Sequence, residues 1–158
     1  MKRFLFFVGC LFSTLTMASN WQLAYFFDGG DSMFFDKDSI VRTSANRIQV
    51  WTANVLFKDA PLSVRPYGFN LVLTLKEMDP KNRREKDLQR IFYKDSTVII
   101  SKRPKGADSW DYLAPGTLGE ELLDQVQGKS TSIYGSTRSS FGELVKFGRQ
   151  EAIKNKKN

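Results

Sequence analysis

Residues 47–57, Arg47-Ile48-Gln49-Val50-Trp51-Thr52-Ala53-Asn54-Val55-Leu56-Phe57, are the longest strand candidate in the chain. Trp51, Ala53, Val55 and Phe57 share one parity, and side chains two apart point to the same face of a strand. Ile48 and Val50 put apolar groups on the other parity. A strand of that kind either carries a bulge, here near Val50, or is covered on both faces.

The stretches on either side have the same character. Upstream, Trp21 to Phe27 is aromatic-rich and reads as a strand, and Asp28-Gly29-Gly30-Asp31 is a turn because glycine adopts positive φ without steric cost. Met33 to Asp36 resumes as a short strand, and Asp38-Ser39-Ile40 turns the chain away. Downstream, residues 58–68 hold Pro61 and Pro66 and read as a loop. Asn70 to Glu77 then places Leu71, Leu73 and Leu75 on one side. Asp79-Pro80-Lys81-Asn82 is a turn, Lys86 to Tyr93 a strand, Asp95-Ser96 a break, and Thr97 to Ser101 a β-branched strand. About six strands joined in sequence by short turns make an antiparallel meander.

The last third changes period. Pro115-Gly116-Thr117 leads into a helix over Leu118 to Val126, with Thr117-x-x-Glu120 as a capping box. Ser140-x-x-Glu143 repeats the signature ahead of a second helix. There Phe141, Leu144, Val145, Gly148 and Ala152 fall on one face, so the helix should lie on the sheet, with Gly148 allowing close approach. Gly128 to Arg138, rich in Ser, Thr and Gly, reads as a mobile loop between the helices. The expected fold is α+β, a meander sheet of about six strands with one or two C-terminal helices packed on it.

Residues 1–18 read as an export leader. Lys2 and Arg3 precede an apolar run from Phe4 to Leu15, and Thr16-Met17-Ala18 offers small side chains for cleavage after Ala18 or Ser19. About a dozen apolar residues are too few to span a bilayer, and no later run is longer. The expected division is a signal peptide over 1–18, an α+β domain over 19–138, and a basic amphipathic helix with its tail over 139–158. Phe7-Val8-Gly9-Cys10 faintly resembles the box before a lipidated cysteine, but it comes early and a better cleavage site follows. The expected location is the periplasm or the outer cell surface.

Composition removes several kinds of chemistry. Cys10 is the single cysteine and there is no histidine, so the mature chain has no thiol nucleophile, no histidine base and no Cys/His metal site. No phosphate loop or nucleophile elbow is present, no cofactor is expected, and the adjacent Glu120 and Glu121 point about 100° apart on a helix. Of the net charge of +7, Lys2 and Arg3 leave with the leader, giving +5. Lys146, Arg149, Lys154, Lys156 and Lys157 against Glu151 hold +4 of that in the tail, leaving the rest of the domain near +1. This is not the spread charge of a nucleic-acid binder.

Candidate binding residues are therefore local. Asp36-Lys37-Asp38-Ser39 fails as a calcium loop, because Val41 stands where a glycine is needed, and reads as a turn closed by Asp side chains. Arg83, Arg84 and Lys86, with Arg65, are the candidate partner-binding cations, although Glu77, Asp79, Glu85 and Asp87 interleave with the hairpin group. Lys154, Lys156 and Lys157 either favour the dipole of the last helix or contact an anionic membrane surface.

Trp21, the segment Phe34-Phe35-Asp36-Lys37-Asp38-Ser39-Ile40, and Arg47-Ile48-Gln49-Val50-Trp51 together resemble the surface-adhesin protein E family of Gram-negative bacteria. Trp110 to Val126, with Ala114-Pro115-Gly116-Thr117 before Leu122, is similar to that family's final turn and helix. The resemblance implies a small antiparallel sheet with a packed helix, exported to the envelope or surface, and a non-enzymatic role in binding a host or envelope protein. Relatives often carry bonded cysteines near the positions of Asp79 and Gln127, and neither is present here. A second reading, from the basic helix beyond the family-like region, is an accessory subunit of an envelope secretion or conjugation complex.

Overall fold

All six expected strands form. They are β1 (Ser19–Phe26), β2 (Ser32–Asp36), β4 (Ile48–Val55), β5 (Leu71–Asp79), β6 (Arg84–Lys94) and β7 (Thr97–Lys102), with the two-residue β3 (Val41–Arg42) between β2 and β4. Two more follow, β8 (Asp111–Tyr112) and β9 (Ser136–Ser139), and the helices are α1 (Leu118–Val126) and α2 (Phe141–Asn155). The computed structural model describes residues 19–27, 29–58, 68–130 and 136–155. Residues 1–18, where the leader is expected, and with them Cys10, thus lie outside the described residues, as do Arg65, Lys156 and Lys157.

The sheet is antiparallel throughout, in the order β7-β6-β5-β4-β2-β1-β9. The long strands β4 and β6 both pair β5 along one edge, and along the other edge each takes two partners. β4 pairs β3 at its start and β2 at its end, and β6 pairs β8 and then β7. The fold is the α+β meander expected, with both helices on the sheet.

The two parities of β4 are explained by cover on both faces. Ile48 and Val50 pack with Met33, Phe35 and Met78 beneath Leu122, Leu123 and Val126 of α1. Ala53 and Val55 pack with Trp21, Leu23, Phe34, Leu71 and Leu73 beneath Leu144 and Val145 of α2. The β4–β5 register runs unbroken from Ile48↔Met78 to Val55↔Leu71, so there is no bulge at Val50. Irregularities lie elsewhere: in the β5–β6 ladder between Leu75 and Lys76, in β6–β7 between Phe92 and Tyr93, and in β1 between Leu23 and Tyr25, where Leu23 belongs to the α2 side and Tyr25 to the α1 side.

Three local expectations are refined. Residues 128–138 do not all form a loop, since residues 136–139 are β9, which pairs β1 from Ser19↔Ser139 to Gln22↔Ser136. The polar composition that reads as loop also suits an edge strand, which covers backbone groups β1 would otherwise leave bare. At α1, Thr117 Oγ1 donates to Ala114 O, and Glu120 reaches back to the N–H of Gly116, one residue before the expected cap. At α2 the glutamate half of the box forms, with Glu143 accepting from both N and Oγ of Ser140. The Asp36 turn closes as read: Asp36 Oδ1 accepts from Asp38 N and Asn20 N, and Ser39 Oγ both donates to Asp36 O and accepts from Trp51 N.

Candidate protein-binding surface

Beyond the reach of α2, the same face of the sheet ends in charge. Leu71 and Leu73 share their parity on β5 with Glu77 and Asp79, so one strand face passes from core to carboxylates. Glu77 Oε1 accepts from Arg47 Nη1 at 3.1 Å and lies 3.6 Å from Lys86 Nζ, while its Oε2 accepts from Gln49 Nε2 at 3.0 Å. Asp79 closes the β5–β6 turn through N and Nδ2 of Asn82, and its Oδ2 accepts from Arg84 Nε at 3.0 Å. Burial works to raise both carboxyls, but these donors and cations outweigh it and hold each below its ordinary value.

Trp110 lies over this lattice. Its ring has Arg84 Cζ at 4.6 Å, Lys86 Nζ at 4.7 Å and Arg47 Cζ at 5.0 Å. One indole thus serves three cations, each already anchored to a carboxylate, in the distance range of cation–π attraction. Two exposed apolar side chains flank it. Tyr112, opposite Arg84 across the β6–β8 ladder, is 78 % exposed, and Val41, opposite Gln49, is 56 % exposed.

Of the cations singled out from sequence, Arg84 and Lys86 meet at Trp110. Both are held and largely sheltered rather than waving on a solvated tip. Arg83 turns to the other side, where it pairs with Glu120 of α1 and ties the hairpin tip to that helix. Lys154 stands on the last turn of α2, paired with Glu151. Sequence reading overlooked Arg47, Trp110 and Tyr112 as binding residues. The one local signal for the last two was an aromatic pair in the polar segment Ser109-Trp110-Asp111-Tyr112.

The arrangement offers recognition chemistry. Trp, Tyr and Arg side chains pre-ordered by neighbours lose little freedom on binding and are enriched at interface hot spots. Glu120 is committed to Arg83 and Gly116, and Glu121 accepts from Gln125, so the two do not form a carboxylate pair on one centre. Among the described residues no group of three or more His, Cys, Asp or Glu is placed to hold a metal ion.

A family model described as surface-adhesin protein E matches residues 21–126, well over half the chain. The protein belongs to the surface-adhesin protein E family. The matched region runs from Trp21 in β1 to Val126 at the end of α1, so it contains every residue of the Trp110 surface, while β9 and α2 lie beyond it. A search of curated proteins and one of solved structures returned no match. Family membership thus joins an adhesin E-type chain to a meander sheet. Among the described residues no helix is long and apolar enough to cross a membrane.

Proposed function

We propose that this adhesin E family member is an exported, non-enzymatic protein of the bacterial envelope or surface that binds a protein partner through the Trp110 surface. The observation that carries the reading is Tyr112, exposed beside an indole that three paired cations hold in place. An exposed aromatic next to anchored arginines is the composition of an interface centre. Arg84 and Lys86 act as its anchors, and Arg65, Lys156 and Lys157, which lie outside the described residues, are proposed with them as partner-binding cations. Export rests on the leader read in residues 1–18.

The test is affinity capture from envelope and host-matrix extracts with the mature protein, beside Tyr112→Ser and Arg84→Ala with Lys86→Ala. A partner retained by the wild type and lost by both folded variants supports the reading. Partners retained equally by all three, or turnover of a substrate at this surface, overturn it.

A second reading draws on α2, which lies beyond the family match. As an accessory subunit of an envelope complex, the protein would dock through the outward side of this helix, where Lys146, Ile153 and Lys154 are exposed. Deleting α2 is a poor test, because Leu144, Val145 and Ala152 are buried on the sheet and their loss strips the core. Lys146→Glu with Lys154→Glu leaves that packing alone. Loss of co-purification with a membrane complex in this variant alone favours the second reading.

A further inference from the structure

Among the described residues, the face of the sheet that carries α1 is only partly covered. Nine helical residues measure about 14 Å at ~1.5 Å each, against about 30 Å for the nine residues of β5 at ~3.3 Å. α1 packs over the β5 end marked by Met78 and over Phe35, Ile48 and Val50. Away from that cover the sheet forms a pocket of about 280 Å³, with Leu56, Val72 and Phe92 as apolar wall and Asn54, Lys76 and Arg90 among its polar groups. That is just under the roughly 300–1,000 Å³ usual for ligand sites, so the occupant is small.

The polar groups differ in how far they are used. Lys76, whose side chain is 12 % exposed, donates to Glu85 Oε1 at 2.7 Å and Asp87 Oδ1 at 3.0 Å. Arg90 donates to Asp87 Oδ2 through Nε at 2.9 Å and through Nη2. Both carboxylates are therefore engaged by cations. The donors are not exhausted, since an ammonium has three N–H groups and a guanidinium five. Lys76 keeps one, and Nη1 of Arg90 has no partner among the described residues. Asn54 makes no side-chain hydrogen bond among them either, and its Oδ1 is shut off from solvent, so what it can present is its NH₂.

A site whose carboxylates are both engaged by cations, while Lys76 and Arg90 keep N–H donors to spare, calls for a ligand bearing oxygens. Its charge sets the sign. Lys76, Arg90 and Lys102, whose Nζ lies 5.2 Å over the Phe92 ring, outnumber Glu85 and Asp87 by one. One negative charge balances it, and the wall of Leu56, Val72 and Phe92 takes an apolar body. We propose that this pocket binds a monocarboxylate with a short apolar body, either a free small acid or the C-terminal residue of a peptide. It shares no residue with the Trp110 surface, so the two proposals fail independently.

The test uses the mature full-length chain and amide chemical-shift titration. Hexanoate is the probe, hexanamide its neutral match, and the tripeptide Ala-Ala-Leu is added as free acid and as C-terminal amide. Hexanoate should shift the amides of β5 and β6 around Val72 and Arg90, and hexanamide should bind at least about tenfold more weakly, as charge-assisted hydrogen bonds predict. Arg90→Gln should weaken hexanoate by roughly tenfold and leave hexanamide unchanged. Val72→Phe, which fills the pocket and removes no polar group, should abolish both while the protein keeps its cooperative unfolding. If the tripeptide acid binds more tightly than hexanoate and its amide does not, the carboxylate comes from a chain end. If hexanoate is the tighter, it comes from a free acid. No shift with hexanoate at about 10 mM, or equal affinity for acid and amide, overturns the proposal.

Discussion

Gly148 and Ser32 approach so closely that a Cβ added at 148 would lie 2.8 Å from Ser32 Oγ, with Val55 Cγ1 at 3.1 Å and Phe34 Cε2 at 3.2 Å. The helix α2 sits on β2 and β4 at the distance this one missing side chain permits. Two effects oppose each other at Gly148→Ala: helix propensity favours alanine by about 1 kcal/mol, and overpacking a tight contact costs about 1–3 kcal/mol. Three neighbours, two of them core side chains, make the second larger. We expect a net loss near 1 kcal/mol in urea unfolding. Ser32→Ala removes the nearest atom, a buried hydroxyl with no partner among the described residues. The double variant should therefore recover stability, and a strictly additive double variant would show that the contact is not the cause.

Leu122 tests the other face. It is 1 % exposed and packs in one cluster with Tyr25, Met33, Ile48 and Met78. With no cysteine beyond Cys10, no disulfide within the chain can hold α1, and this packing must do so. Leu122→Ala should cost about 2–5 kcal/mol. A loss under about 0.5 kcal/mol by chemical denaturation would mean that α1 is not docked as described.

Stability should depend on pH at the two extremes and be flat between them. Hydrogen bonds and cations hold Glu77, Asp79 and Asp87 below their ordinary values against the opposing effect of burial. Their contribution is complete above about pH 5 and is lost as pH falls through the lowered values of the folded state. Lys76 runs the other way. Burial acts to lower it, but Glu85 and Asp87 hold it above its usual 10.5, so its contribution is complete below that value and lost as pH rises through the raised one. Burial first, then Glu85 and Glu121, push the Tyr25 phenol upward, which adds to the alkaline limb. The chain has no histidine, and urea midpoints should therefore agree between about pH 5 and pH 9. Lys76→Met leaves sheltered Glu85 without its cation and Asp87 with Arg90 alone, and should cost about 3 kcal/mol, moving the acid limb to higher pH.

At the Trp110 surface, folding and binding should separate. Tyr112→Ser removes an exposed ring and should change stability by less than about 0.5 kcal/mol. Trp110→Ala removes the ring from three cations and should cost about 1–2 kcal/mol of stability. Against the captured partner, each should lose at least about 2 kcal/mol of binding, as interface centres do. Variants that lose stability and binding in proportion would mark the surface as structural.

The reading of the fold from sequence held best where neighbours in sequence are neighbours in space. The doubled parity of residues 48–55, the Asp36-to-Ser39 turn, the β5–β6 hairpin and the buried stripe of α2 are each local patterns of period or turn chemistry. The capping box of α1 missed by one residue, because Gly116 and Thr117 both present backbone groups and the glutamate reached the earlier one. Arg84 and Lys86 were legible as candidates, but their sheltered setting was not. Trp110, which shelters them, is brought to them only by the folding of β8 against β6.

Residue spacing and turn chemistry thus set the strands, the helices, the hairpin order and the close seat at Gly148, since each follows from side chains within one or two turns of each other. Folding in three dimensions assigned α1 and α2 to opposite faces of the sheet and made residues 136–139 the edge partner of β1. It also gathered Arg47, Arg84 and Lys86 around Trp110, and formed the pocket beside Val72. These features join segments far apart in the chain. Their energy comes from pairings that exist only once the intervening loops have closed, and no local pattern records which distant groups will meet.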